Sequence, residues 1–268
     1  MVNVEFGKNI EKLIQFSGQK NYSLAKELGY DVVVLDSQND TAKEVSNMED
    51  LTVKDVDIVL LNPVDSDSAI ASVMIANNSN LPVMTVDRVA NGGKVVSHIA
   101  SDNVAGGDMA AKFLIEKLNG KGNIVELEGT AGSSATRDRG QGFDDGIRKS
   151  GFNLVAKQSA DFDRTKGLTV MENIIQSKGE IDAIFAQNDE MALGAQKAWE
   201  AANMKDILIV GFDATDDAVE AVKQGKMAAT VAQQPLLIGE TAVNAVHKVI
   251  IGEKIADYIP VELKLITK

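Results

Sequence analysis

The chain contains no cysteine and only two histidines, His98 and His247, far apart in sequence. A disulfide framework and a thiol nucleophile are therefore excluded, and a zinc cluster lacks its usual ligands. The missing cysteines are compatible with either redox compartment. No apolar run approaches the roughly 20 residues needed to span a bilayer, and the start lacks a basic segment followed by an apolar stretch and a small-residue cleavage site. As written, the sequence reads as soluble. Positive charge is in short supply: 27 Lys and Arg stand against 39 Asp and Glu, for a net charge of -12. Nucleic acid and anionic membranes are the wrong partners for such a surface. The nucleophile-elbow pattern Gly-x-Ser-x-Gly does not occur. The Gly-rich stretch "GTAGSSATRDRG" (Gly129 to Gly140) lacks both the Gly-Lys-Ser/Thr ending of a P-loop and the spacing of a dinucleotide fingerprint. Nucleotide binding is rejected on that ground.

With 268 residues, 44% hydrophobic and 25% charged, the chain has ordinary globular composition and enough length for one large or two medium domains. Two lobes are expected. From Leu24 onward, short apolar runs alternate with amphipathic stretches of ten or more residues, the pattern of parallel strands joined by crossover helices. Strands are predicted at Asp31–Leu35, Asp57–Leu61, Pro82–Val86, Asn123–Leu127, Asn153–Lys157, Asp182–Ala186, Ile207–Gly211 and Ala228–Ala232. Apolar residues at spacings of three and four predict helices over Ala105–Leu118, Thr165–Ser177 and Glu190–Ala202. The result is an α/β, doubly wound architecture. A lobe boundary is expected near "ASDNVAGG" (Ala100 to Gly107), where a strand-like run gives way to a small-residue turn.

In open α/β sheets ligands bind beyond the carboxyl ends of the strands. Five strands here lead into hydrogen-bonding groups: Asp87 and Arg88; Gln187 and Asn188; Phe212 and Asp213; Gln233 and Gln234; and, with the Gly-rich stretch read as a loop, Arg137 and Arg139. Carboxylate, guanidinium and amide together suit a neutral polyol, whose hydroxyls both donate and accept, whereas an anion calls for donors alone. Sugars also present an apolar C–H face that a ring can cover, and Phe162 and Phe212 are candidates. Each residue has a plainer alternative. Asp87 and Arg88 could form a surface ion pair, Asp213 could cap the helix beginning near Asp216, and Asn188, Asp189 and Glu190 could be ordinary residues of a helix start. Phe162, Phe212 and Trp199 could be core, and His98 and His247 structural or exposed. Agreement among five strand ends favours a ligand site.

The stretches "LDSQND", "VSHIASDN", "SATRDRGQGF", "SADFDRTKGLTVMEN", "FAQNDEMALGA", "IVGFDATDD", "AATVAQQP" and "PVELKLITK" resemble the periplasmic sugar-binding proteins of ABC importers, most closely the members that bind D-ribose. The resemblance covers about Leu24 to Lys268. It implies Asp87, Arg88, Arg139, Asn188, Asp213 and Gln233 as polar sugar ligands and Phe162 as the aromatic cover, with no catalytic residue, metal or cofactor. It implies two similar doubly wound parallel-sheet lobes, residues 1–101 plus 234–262 and residues 102–233 plus 263–268. Three hinge crossings are expected near Ser101 to Asn103, Gln233 to Pro235 and Val261 to Leu263, with closure on the sugar. The implied partners are D-ribose or a related monosaccharide, an ABC permease and a chemoreceptor, not nucleic acid; the implied setting is a monomer in the periplasm or on the outer face of the cytoplasmic membrane, its export signal outside this chain. The effector domain of a LacI-type regulator shares the fold, but no helix-turn-helix precedes residue 24. A sugar- or nucleoside-processing enzyme is the other alternative and lacks a nucleophile, metal set or phosphate loop.

Residues 1–23 depart from that family. Its members begin with an apolar strand and a loop carrying Asn, Pro and two adjacent aromatics that contact the sugar. Here Glu11, Lys12, Leu13 and Ile14 stand where the loop is expected. Similar length with lost pattern points to a replaced segment. "VNVEF" reads as a short edge strand, and "KNIEKLIQF" as an amphipathic helix with Ile10, Leu13 and Ile14 on one face.

Overall fold

The computed structural model describes residues 3–6 and 24–268, apart from 55, 178 and 205. The chain divides into two compact units. The first comprises Met1–Ser101, Gly132–Ser134 and Gln234–Val261, and the second Asp102–Ala131, Ala135–Gln233 and Glu262–Lys268.

In chain order the first strands are β1 (Asn3–Phe6), β2 (Asp31–Val34), β3 (Ile58–Leu61), β4 (Val83–Val86) and β5 (His98–Ser101). They are followed by β6 (Lys121–Glu128), β7 (Gly151–Ser159), β8 (Ala183–Ala186), β9 (Leu208–Asp213) and β10 (Ala229–Ala232), and finally β11 (Tyr258–Val261) and β12 (Lys264–Thr267). The longer helices are α1 (Thr41–Thr52), α2 (Ala69–Asn78), α3 (Asn103–Leu118), α4 (Ser134–Ile147), α5 (Arg164–Ser177), α6 (Asp189–Ala201), α7 (Asp216–Gln224) and α8 (Pro235–Ile250). All eight strands expected from the sequence are present. The sequence pattern did not place α1, α2, α4, α8, β11 and β12, whereas α7 begins at Asp216, where a helix start was expected.

The sheet of the first unit runs β11-β5-β4-β3-β1-β2, and that of the second β12-β10-β9-β8-β6-β7. Pairing is parallel throughout, except that β12 lies antiparallel to β10. Interior strands β3, β4, β8 and β10 are buried along their whole length, as expected of parallel strands covered on both faces. In the second unit one apolar layer joins Met171 and Ile174 of α5 to Met191, Ala195 and Trp199 of α6. Another joins Ala110 and Leu114 of α3 to Phe143 of α4 and Phe185 of β8. Trp199 is thus a core residue.

The edge-strand reading of the first residues is corrected. β1 is interior, pairing Asn3 with Asp31 of β2 and Val4 with Ile58 of β3. A strand in that position completes the parallel order, which residues after Leu24 could not do alone. The helix expected over "KNIEKLIQF" lies outside the described residues.

A second correction concerns the Gly-rich stretch, expected as a loop. It enters helix at Ser134, so Arg137 and Arg139 sit on α4. Glycine is a poor helix former, which hid the helix, but here it allows two backbones to touch. A Cβ on Gly107 of α3 would stand 2.0 Å from the Arg139 carbonyl oxygen, and one on Gly142 would stand 1.9 Å from that of Val104. α3 itself starts on a side-chain cap, with Asp102 Oδ1 accepting from the Ala105 N–H at 2.9 Å.

Since the clash would be with backbone, Gly107→Ala should cost about 1–3 kcal/mol of stability through overpacking. Denaturant unfolding checks this, and an unchanged midpoint and slope would show that α3 and α4 can part without penalty.

Candidate functional site

Each unit has the strand order 2-1-3-4-5, in which the chain doubles back between its first and third strands. Beyond the carboxyl ends at such a switch point, side chains from neighbouring loops can converge. In the second unit the residues there are Gly129 after β6, Phe162 after β7, Gln187 and Asn188 after β8, Asp213 at the end of β9 and Gln233 just past β10.

Arg139 joins them. Its side chain is only 4% exposed, and a buried guanidinium cannot shed its charge, so acceptors must surround it. Nε donates to Asn103 Oδ1 at 2.9 Å, and one terminal nitrogen donates to the Gln187 carbonyl at 2.6 Å. The same nitrogen lies 3.5 Å from Asp213 Oδ1. The guanidinium carbon stands 3.7 Å from the centre of the Phe212 ring and 5.8 Å from that of Phe162, within cation–π reach. Asp213 Oδ1 also accepts from Gln233 Nε2 at 2.7 Å. Arg139, Asp213, Gln233 and Phe162 are thereby linked.

Backbone geometry at the site is unusual. Phe162 has φ 58° and Asp213 φ 116°, with Ala214 following at 56°. Left-handed backbone is costly for residues with a Cβ and persists only where surroundings impose it. At Phe162 the surroundings include Gly129, where a Cβ would lie 2.0 Å from the ring. Asn188 Nδ2 donates to the Phe162 carbonyl at 3.3 Å, while its Oδ1 accepts from the Met191 N–H at 2.9 Å as the cap of α6. Asn188 therefore belongs to the helix start, as the plain alternative had it, and is its cap; its remaining amide hydrogen is a donor.

Two sequence expectations change here. Phe212 is wholly buried against Arg139, so it supports the guanidinium and is not a cover for a ligand. Asp213 does not cap the following helix, because Thr215 holds that position, its Oγ1 accepting from the Ala218 N–H at 3.4 Å.

Behind the strand ends lies a polar cluster that sequence reasoning missed. Gln187 Nε2 donates to Glu126 Oε1 at 2.8 Å, and Gln187 Oε1 accepts from the Gly129 N–H at 3.0 Å. Lys157 Nζ stands 2.9 Å from Glu126 Oε2, close enough for an ion pair although misaligned for a hydrogen bond, and 2.8 Å from Asp144 Oδ2. Burial pushes the Glu126 carboxyl up to about 7, against the opposing pull of Lys157 and Gln187. A lone carboxylate inside the apolar run "NIVEL" was the available signal.

In the first unit Asp87 and Arg88 follow β4. Asp87 has φ 64° and donates its N–H to the Ile99 carbonyl at 2.9 Å. Arg88 donates to the carbonyls of Val64, at 3.0 Å, and Pro63, at 3.3 Å, while its Nε is buried with no hydrogen-bond partner among the described residues. No ion pair joins Asp87 to Arg88 among the described residues, so the surface-pair alternative falls. His98 is partly buried, stacked on Tyr258 and bonded to Thr85 Oγ1 at 2.9 Å. Burial lowers its pKa.

A family model described as a periplasmic binding protein domain matches residues 10–254. The ribose import binding protein RbsB of Haemophilus influenzae is 58% identical over 244 residues, covering 91% of this chain and 83% of that protein. The ribose import binding protein of Bacillus subtilis is 50% identical over 244 residues, covering 91% and 79%. Among solved structures, a Caulobacter myo-inositol binding protein bound to myo-inositol superposes with a TM-score of 0.91 at 30% identity, covering 100% of this chain and 93% of that one. A solute-binding protein from Actinobacillus succinogenes with bound D-allose does so at 0.90 and 28%, covering 100% and 98%.

The buried carboxyl gives a pH signature. With a folded value near 7 against 4.5 for an ordinary glutamate, Glu126 binds more protons folded than unfolded between those limits. Its share of stability therefore falls as pH rises from about 4.5 to 7. Asp189, raised to about 7 by burial and then by the charge of Asp213, adds a slope of the same sign. Melting temperatures of the wild type should thus drop more steeply from pH 5 to 7.5 than those of Glu126→Gln; parallel curves would place the Glu126 titration elsewhere.

Proposed function

Since this chain belongs to the periplasmic binding protein family, we propose that it captures a neutral monosaccharide, D-ribose before others, in the periplasm and delivers it to the permease of an ABC importer. It is a solute-binding protein and not an enzyme. A chemoreceptor is a second partner in this reading, and the protein works as a monomer.

The observation that carries the ligand class is the balance of charge around Arg139. Asp213 lies within ion-pair distance, and neutral acceptors take two further guanidinium hydrogens. Little uncompensated positive charge is left to attract an anion. What the strand ends offer instead is a carboxylate to accept from hydroxyls, the Arg139 and Asn188 N–H groups to donate to them, and Phe162 to lie along a C–H face. Ribose is favoured over inositol or allose by kinship, since the ribose import relatives are 50–58% identical whereas the structures holding myo-inositol or D-allose are 28–30% identical. Asp87 and Arg88 belong to the other unit and enter the ligand set by sequence resemblance.

Calorimetric titration against a panel of pentoses and hexoses is the direct test, with ribose expected to bind most tightly. Arg139→Ala and Asp213→Ala should each weaken that binding by about tenfold to a hundredfold, the result of stranding desolvated partners at about 1–3 kcal/mol. Circular dichroism should show both folded. Full affinity in either variant would remove that residue from the site.

A further prediction addresses the departure at the start of the chain. Grafting the family's apolar strand and its loop with Asn, Pro and paired aromatics onto residues 1–20 should tighten ribose binding and raise the melting temperature. Equal affinity before and after the graft would mean that the present segment serves the pocket as well as the family's own.

A further inference from the structure

Asp189 is wholly buried at the start of α6. As a residue of the first helical turn it needs only to sit near the N–H groups, where an exposed carboxylate is sufficient. Its side chain goes elsewhere. Oδ1 accepts from the Thr230 hydroxyl on β10 at 2.7 Å, and Oδ2 accepts from the Thr215 N–H at 2.7 Å. To reach β10 from α6 the carboxylate crosses β9 at Gly211, where a Cβ would lie 2.2 Å from Oδ1. Thr230, itself wholly buried, takes the Ala214 N–H on its hydroxyl oxygen at 3.2 Å. Two hydrogen bonds thus grip the residues just after Asp213, and both depend on one carboxylate.

The residues so gripped, together with Asp213 itself, form the turn with φ 116° at Asp213 and 56° at Ala214. Such backbone needs outside restraint in residues that carry a Cβ. Here the restraint is the Asp189–Thr230 pair below and the Thr215 bond beside it. We propose that Asp189 is a positioning residue for sugar capture: through Thr230 and Thr215 it holds Asp213 and Ala214 in left-handed backbone, setting the Asp213 carboxylate against Arg139 and Gln233. The inference rests on the reading above that the second unit's strand ends contact the sugar.

The test uses Thr230→Val, which preserves shape, leaves the ligand set untouched and removes both hydrogen bonds of the hydroxyl. Ribose affinity should fall at least tenfold. Ile174→Ala, a core truncation on α5, serves as the control for lost stability and should hold affinity within about twofold at a comparable drop in melting temperature. Combined with Asp213→Ala, Thr230→Val should cost no more affinity than Asp213→Ala alone, because both act through one carboxylate. Thr230→Ser, which retains the hydroxyl, should restore binding. Should Thr230→Val not fold, Asp189→Asn takes its place, since an amide cannot accept from both donors. Wild-type affinity in the folded variant, or losses that add in the double variant, would overturn the inference alone. A wild-type protein that binds none of the sugars, or an Asp213→Ala variant that binds as well as wild type, would overturn the site reading and this inference with it.

Discussion

A guanidinium that cannot be neutralised has to be answered by acceptors wherever it is buried, and Arg139 imposes that condition on the second unit. Its partners come from three separate elements: Asn103 opens α3, Gln187 follows β8, and Asp213 ends β9. Phe212 closes one face of the charge at 3.7 Å. Were any of these displaced, an ion would be left in a low-dielectric interior at a cost of several kcal/mol. The strand ends and the starts of α3 and α4 are consequently fixed relative to one another, and a sugar bound there as proposed would require little further ordering within this unit.

Close backbone packing makes that arrangement possible. Arg139 reaches the strand ends because α4 lies against α3 with glycines at the contact, Gly107 on one helix and Gly142 on the other. The same residues misled the sequence reading, since "SATRDRGQG" has the composition of a loop. Propensity lost to tertiary packing there, as it does wherever two helices need the room of a Cβ. The interior strands, by contrast, were legible because burial on both faces leaves a continuous apolar run that few other structures produce. β11 and β12 were not, because "YIPV" and "KLIT" are partly exposed edge segments of four residues each, without such a run. α2 escaped for a different reason: "AIASVMIANN" is small and apolar on nearly every side and shows little amphipathic contrast.

For the site, the residues named from the sequence in the second unit, Arg139 on α4 apart, follow the carboxyl ends of the strands of one sheet, since the groups that end parallel strands are brought together by topology alone. Which atom of each is engaged was beyond the sequence. Asn188 illustrates the point: it was weighed as either an ordinary helix-start residue or a ligand, and its place as the cap claims only its oxygen, so the two roles are compatible. Phe212 was weighed as core or cover, and it is core. The cluster of Glu126, Lys157 and Asp144 depends on which strand neighbours which and on side-chain direction, information that no single segment carries.

The consecutive residues Gln187, Asn188 and Asp189 show how much a strand-to-helix turn can fasten. Their side chains leave in different directions. Gln187 turns back to Glu126 and to the Gly129 N–H on β6 and its following loop. Asn188 caps α6 and ties the Phe162 carbonyl after β7. Asp189 passes across β9 to β10 and to the Thr215 N–H. The tripeptide at the end of one strand thereby ties together β6 and the loop after it, the turns after β7 and β9, and β10 at Thr230. Such a hub explains how the site tolerates left-handed backbone at both Phe162 and Asp213: the strain of order 1–3 kcal/mol at each is offset by bonds made to rigid neighbours rather than to solvent. It also couples the start of α6 to Gln187, Asp213 and Phe162 around Arg139, so their positions are fixed together.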